Sequence, residues 1–194
     1  MPFMKKIFLP KLKSNLTKDE QMFIGSWTDN RYFVIQSIIA KSFQNLSETE
    51  KQYSDKAKTL LNMFSKYKSH FQKDKPVFRG LKFHKNRSDE VLRYRYIVEE
   101  IKVAYKFQEN YIHSYTPFST SKKLGVAMDF ANRQLEDFYS VVLFFNKRIS
   151  DELDLTLFSS ADEFEVLIQG GLKYKITEYA NILNKVYVTL EEIK

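Results

Sequence analysis

The feature that most constrains this chain is a change of character at Lys73-Asp74-Lys75-Pro76. Ahead of it, apolar residues recur at helical spacing. Thr17-Lys18-Asp19-Glu20 has the pattern of a capping box, and Phe23, Ile24 and Trp27 follow on one helical face. Asp29-Asn30 breaks that helix. Tyr32, Ile35, Ile38, Ile39 and Phe43 mark a second amphipathic helix. Ser47-Glu48-Thr49-Glu50 is a second capping box. It opens a longer helix whose stripe is Tyr53, Ala57, Leu60, Leu61, Phe64, Tyr67 and Phe71.

Past the change the pattern is that of strands. Pro76 disfavours helix at the residue before it, and Val77-Phe78-Arg79-Gly80-Leu81 reads as a short strand. From Ser88 to Tyr105 charged and aromatic residues alternate without a clean period. Ser121 to Gln134 reads as a short helix after a turn, and Ser140 to Phe145 as a buried strand. Phe164, Val166 and Ile168 alternate with Glu163, Glu165 and Leu167, the period of a strand. Gly170-Gly171 is a turn, followed by strands over Lys173 to Thr177 and Lys185 to Leu190. Helices first and strands later predict an α+β fold with an antiparallel sheet core, not alternating βαβ units. The expected organisation is one domain over 1–194, mainly helical over 1–72 and β-rich over 73–194.

Composition narrows the chemistry. With 194 residues, 17 Phe and 12 Tyr, the chain has ample core material. It has no Cys, so disulfides and thiolate metal sites are excluded. The formal charge of +7 fits a Lys-rich solvated surface, or attraction to an anion such as a dinucleotide, a nucleic acid or an acidic protein. No apolar run reaches membrane-spanning length. Met1 to Lys13 lacks the apolar core and cleavage site of a signal peptide, so the expected location is cytoplasmic. There is no P-loop and no G-x-G-x-x-G, and His70, His84 and His113 have no metal-ligand spacing.

Three short segments carry chemistry as a set. In Phe78-Arg79-Gly80 an Arg sits in an apolar strand, where it needs an anion or carbonyl group, or else lies at the strand edge with its head in water. Pro117-Phe118-Ser119-Thr120-Ser121 offers three hydroxyls in a row. They can bind a carboxylate or a ribose, although Ser121 also suits a helix N-cap. In Glu163-Phe164-Glu165, residues two apart in a strand share a face, so two carboxylates lie side by side. A solvated strand edge would also tolerate them.

In this order, the three segments resemble the mono-ADP-ribosyltransferase family of the Arg–Ser-Thr-Ser–Glu-x-Glu type. That family includes arginine-specific bacterial toxins, vertebrate ecto-enzymes and small phage transferases. Its strand Arg matches Arg79, its Ser-Thr-Ser matches Ser119, Thr120 and Ser121, and its Glu-x-Glu matches Glu163 and Glu165. Phe130-Ala131-Asn132-Arg133 is similar to the toxins' phosphate-nicotinamide loop. Arg31-Tyr32-Phe33-Val34-Ile35-Gln36 resembles the family's Gly-Tyr-x-x-Ile-Asn helix, with Arg31 for Gly and Gln36 for Asn.

The resemblance implies two short antiparallel sheets packed across each other, flanked by N-terminal helices. It implies NAD as a substrate and no metal. The activity it implies is transfer of ADP-ribose to an arginine of a target protein through an oxocarbenium-like transition state. In that reading Glu165 is catalytic and Ser119 orients it, while Arg79, Ser119, Thr120, Ser121, Phe130 and Arg133 bind NAD. Glu163 activates the acceptor guanidinium, where members that modify Asn or guanine carry Gln. Leu153 to Asp162 forms a target-recognition turn with Phe158 as a contact. The partner would be a protein with an accessible arginine, such as a host bacterial protein met by a phage or effector enzyme. NAD hydrolysis, with water as acceptor, is a second reading. A third is a catalytically silent basic module that binds nucleic acid or an acidic partner.

Overall fold

The computed structural model describes residues 16–27, 32–67, 75–132, 136–155, 165–182 and 185–194. The helices α1 (Lys18–Trp27), α2 (Tyr32–Ala40) and α3 (Glu48–Lys66) come first. Both predicted capping boxes form. Thr17 N donates to Glu20 Oε2 at 2.7 Å, and Glu20 N donates to Thr17 Oγ1 at 3.2 Å. Ser47 and Glu50 make the same pair of bonds at the start of α3.

The two box glutamates also clamp the helices together. Glu50 accepts Ser37 Oγ at 2.6 Å and Lys41 Nζ at 2.7 Å, which joins α2 to α3. The Lys41 ammonium, the Ser37 hydroxyl and the Ser47 N–H hold its carboxyl down at about 2. Glu20 accepts Lys66 Nζ and Tyr67 Oη, each at 2.9 Å, and so ties α1 to the end of α3. Burial pushes the Glu20 carboxyl up, but the bonds from Lys66, Thr17 N and Tyr67 outweigh it and the net shift is downward.

Helix α2 stops at Ala40, short of the expected Phe43. Phe43 N donates to Ile38 O at 3.1 Å and Ser42 N to Ile39 O at 2.9 Å, a Schellman closure. It requires positive φ at Ser42 (49°) and Phe43 (62°). Phe43 thereby turns back onto the core of the three helices. That core holds Phe23, Trp27, Ile35, Ile38, Leu60 and Phe64.

The strands are β1 (Val77–His84), β2 (Ile112–Ser114), β3 (Phe118–Ser121), β4 (Phe138–Lys147), β5 (Glu152–Asp154), β6 (Glu165–Ile168), β7 (Leu172–Ile182) and β8 (Lys185–Ile193). They are hydrogen-bonded in the order β2-β7-β8-β4-β1-β3-β6-β5. The α+β class holds. The strands form a mixed sheet, and the expected antiparallel pairing fails between β4 and β8, which run parallel from Ser140↔Lys185 onward. The strands on either side of the β1–β3 junction meet there at one aligned pair, Phe78↔Ser121.

Two helices complete the β-rich part: α4 (Ser88–Lys106) and α5 (Leu124–Asn132). Helix α4 occupies the stretch that had no clean period. It buries only Val98, Ile101 and Ala104 as a stripe, while Tyr94 stacks on Tyr139 with centroids 4.4 Å apart. Strand β6 divides the two cores. Val166 and Ile168 enter the one formed with β1, β4, β7 and β8, while Leu167 enters the helical one beside Leu153 and Leu155. Both of its faces are covered, which explains its uninterrupted apolar run.

At the far end of β4 a polar group is sealed in. Arg148 and Glu152 form an ion pair with side chains 0% and 1% exposed. Arg148 also donates to Phe145 O at 3.1 Å, and Glu192 accepts Ile149 N at 2.8 Å. Among the described residues no helix is long and apolar enough to cross a membrane.

Candidate active site

Strands β1, β3 and β6 lie side by side and bring Arg79, Ser119 and Glu165 to one cleft of about 440 Å³. Residues from α1, α2 and α5 complete its walls. The register explains why Ser119 and Glu165 share a face. Ser121 lies opposite Glu165, and Ser119 lies opposite Leu167 two residues along. Side chains two apart on a strand share a face.

Arg79 is partly buried, and its guanidinium donates to the Ser119 carbonyl at 3.0 Å. It also lies 5.2 Å from the centre of the Phe118 ring. Burial lowers its pKa, while Tyr32 and the Glu165 carboxylate act to raise it. Guanidinium nevertheless stays protonated. Of the two sequence readings of Arg79, the structure takes the carbonyl partner over the strand edge.

The position of Arg79 depends on its neighbour. A Cβ at Gly80 would lie within 2.9 Å of Ala131 N and collide with the Ala127 carbonyl oxygen. The absence of a side chain lets α5 lie directly on β1. That contact brings Val126, Ala127 and Phe130 to the cleft wall. Phe130 is 55% exposed, so a planar face is open to a ligand.

The three hydroxyls divide. Ser119 faces the cleft and its Oγ accepts the Trp27 indole N–H at 3.1 Å. Thr120 borders the cleft, but its hydroxyl is spent on the Val166 carbonyl at 2.8 Å, a bond that staples β3 to β6. Ser121 Oγ accepts Lys123 N at 3.1 Å and closes the turn before α5, so it ends a strand where an N-cap was the alternative. Its neighbour Lys122 pairs with Asp154 on β5.

Glu165 opens β6, and its Oε1 accepts the same Trp27 indole N–H at 3.2 Å. In the sequence Trp27 is marked only as part of the apolar face of α1. Its link to Ser119 spans 92 residues, and no local pattern carries such a contact. Lys82, also unanticipated, lines the cleft from β1. The cleft also takes in Tyr32 and Gln36 of α2, and Gln36 Nε2 donates to Pro117 O at 2.6 Å.

Glu163, Phe158 and Arg133 lie outside the described residues. Of the expected recognition turn from Leu153 to Asp162, the first residues prove to be core. Leu153 and Asp154 belong to β5, and Leu153 and Leu155 are fully buried among the helices.

No protein-family model matches the sequence, and no curated protein does. Solved structures do match in fold. The C3 exoenzyme of Clostridium limosum is 17% identical with a TM-score of 0.64, covering 98% of this chain and 94% of its own. The ADP-ribosyltransferase Vis from Vibrio splendidus, solved in complex with agmatine, is 16% identical with a TM-score of 0.56, covering 98% of this chain and 83% of its own. C3stau2 from Staphylococcus aureus, solved with NAD, is 14% identical with a TM-score of 0.58, covering 100% and 96%. This chain therefore has the ADP-ribosyltransferase fold. At these identities the likeness is one of architecture.

Proposed function

We propose that the protein is a mono-ADP-ribosyltransferase that takes ADP-ribose from NAD and places it on an arginine of a target protein. The observation that carries this reading is the meeting of Arg79, Ser119 and Glu165 in one cleft from three different strands. The residues suit an anionic, partly planar ligand. Arg79 and Lys82 supply positive charge and Phe130 an exposed ring, and the Arg79 guanidinium donates to a carbonyl.

In this reading Arg79 holds the phosphate and ribose part of NAD, with Arg133 adding a second phosphate contact. Ser119, Thr120 and Ser121 lie along the same wall, and Phe130 packs beside the nicotinamide. Glu165 takes a hydrogen bond from the nicotinamide ribose. Its carboxylate stabilises the positive charge that grows as the nicotinamide–ribose bond breaks. Glu163 orients the acceptor guanidinium and takes its proton, which matters because guanidinium is a poor nucleophile when protonated. Phe158 contacts the target. Vis, of similar fold, was solved with agmatine, a guanidinium compound, and that supports arginine as the acceptor.

Labelled NAD incubated with the protein and a bacterial lysate tests the reading. Labelled protein bands are expected with the wild type and not with Glu165→Ala or Glu163→Gln. The Glu163→Gln variant should keep some NAD hydrolysis. NAD consumption with no labelled protein would instead favour water as acceptor. No NAD consumption at all would remove the enzyme reading and leave the basic surface as the functional feature.

A further inference from the structure

Trp27 stands out because it is the sole tryptophan of the chain and lies far in sequence from Arg79, Ser119 and Glu165. It ends α1, is only 3% exposed, and packs between Phe23 at 5.6 Å and Tyr32 at 5.9 Å, centroid to centroid. Packing among aromatic rings alone makes no use of an indole N–H. What an indole adds is one donor, and here that donor is shared between Ser119 Oγ and Glu165 Oε1.

We infer that Trp27 is a positioning residue for the carboxylate of Glu165, through which the N-terminal helices set the geometry and charge state of the catalytic cleft. The inference rests on the proposed function, since it gives Glu165 a reaction to perform. Three physical points support it. Ser119 and Glu165 sit on different strands, and a shared donor fixes the distance between their oxygens. An N–H aimed at a carboxylate favours its ionised form, the form needed to meet a developing positive charge. The indole is also held rigidly, because α1 is clamped to α3 through Glu20, Lys66 and Tyr67. A preorganised donor costs no rearrangement during the reaction.

Other charged and titratable groups face this carboxylate. Among the described residues Arg79 of β1 acts on it electrostatically, and Lys82 of β1 and Tyr32 of α2 line the same cleft. The Lys122–Asp154 pair lies beside them on the β3 and β5 side. Of these, Tyr32 packs directly against Trp27, so the pH dependence of a Trp27 variant is read beside that of Tyr32→Phe, which keeps the indole donor.

The test is Trp27→Phe, which keeps a ring between Phe23 and Tyr32 and removes the N–H together with the indole's five-membered ring. The expected result is a kcat for NAD cleavage lowered about tenfold, with KM for NAD unchanged. The acid limb of the rate profile should move to higher pH, because Glu165 loses a donor that favours its charged form. A purely structural Trp27 would leave that limb in place. A second measurement needs neither turnover nor a folded Trp27 variant. The single indole N–H gives one proton resonance in the wild type, which should move in both Glu165→Ala and Ser119→Ala. A resonance that stays put in both, or a Trp27→Phe pH profile that overlays the wild type, overturns the inference. If the wild type consumes no NAD, the proposed activity falls, and the resonance still decides whether the contact exists.

Discussion

Gly80 and Ala127 touch backbone to backbone, and a side chain at Gly80 would collide with the Ala127 carbonyl. This contact sets the depth of the cleft, because it brings α5 down onto β1 beside Arg79. Gly80→Ala should therefore lift α5 and cost about 1–3 kcal/mol as an overpacked position. Thermal denaturation checks the cost. NAD binding should weaken in the same variant, since Phe130 and Arg79 no longer share a wall. An unchanged melting temperature would mean that α5 does not rest on Gly80.

Arg79 offers a second prediction. Its bond to the Ser119 carbonyl and its position against the Phe118 ring both use the planar guanidinium. Arg79→Lys keeps the charge and loses that geometry. NAD affinity is expected to fall about tenfold, while folding stability stays close to wild type. Calorimetric titration with NAD reads the affinity. Equal affinity would show that only charge is needed at this position.

The sealed polar group at the end of β4 contains an asymmetry. Among the described residues the Tyr174 hydroxyl has no hydrogen-bond partner, although the side chain is fully buried. Burial, with Glu192 and Glu152 nearby, pushes its phenol far above the ordinary value. Tyr174→Phe should raise stability by about 1 kcal/mol, since an unmet hydroxyl is removed. Arg148→Met should do the opposite and cost about 3–5 kcal/mol, because it strands the Glu152 carboxylate. Denaturant midpoints distinguish the two. A destabilised Tyr174→Phe would reveal a partner for that hydroxyl.

Acid should loosen the helical layer first. Glu50 titrates at about 2 in the folded protein against an ordinary value of 4.5. Its contribution is thus complete above the ordinary value and disappears as pH falls towards the folded one. Glu20, also shifted downward, acts in the same sense. Glu50→Gln should lower the melting temperature at neutral pH and flatten its fall in acid. An acid profile identical to wild type would show that the clamp to Lys41 contributes nothing to stability.

Much of this arrangement was legible in the residues, and the reasons differ by element. Both capping boxes were readable because their hydrogen bonds are local, between residues three apart. β4 was readable from its apolar composition. The ends were less so: α2 stops at a Schellman turn built without glycine, which sequence spacing does not signal. Helix α4 escaped because only three of its residues are buried, leaving its exposed Tyr and Arg residues to blur the period. Strands β2 and β5, each three residues long, are too short to show any period.

The sequence by itself determined which chemical groups were available. It supplied the strand Arg79, the run Ser119 to Ser121, the pair Glu163 and Glu165, and the order of helices before strands. Each of these follows from covalent neighbours and from the fixed periods of helix and strand. Tertiary structure alone decided which of those groups meet. It spent the Thr120 hydroxyl on a neighbouring strand, ran β8 parallel to β4, buried Leu153 and Leu155, and brought an indole from α1 to Ser119 and Glu165. The physical reason is that such contacts join residues far apart in the chain. Their partners are chosen by packing, register and burial summed over the whole molecule, and no short stretch of sequence holds that sum.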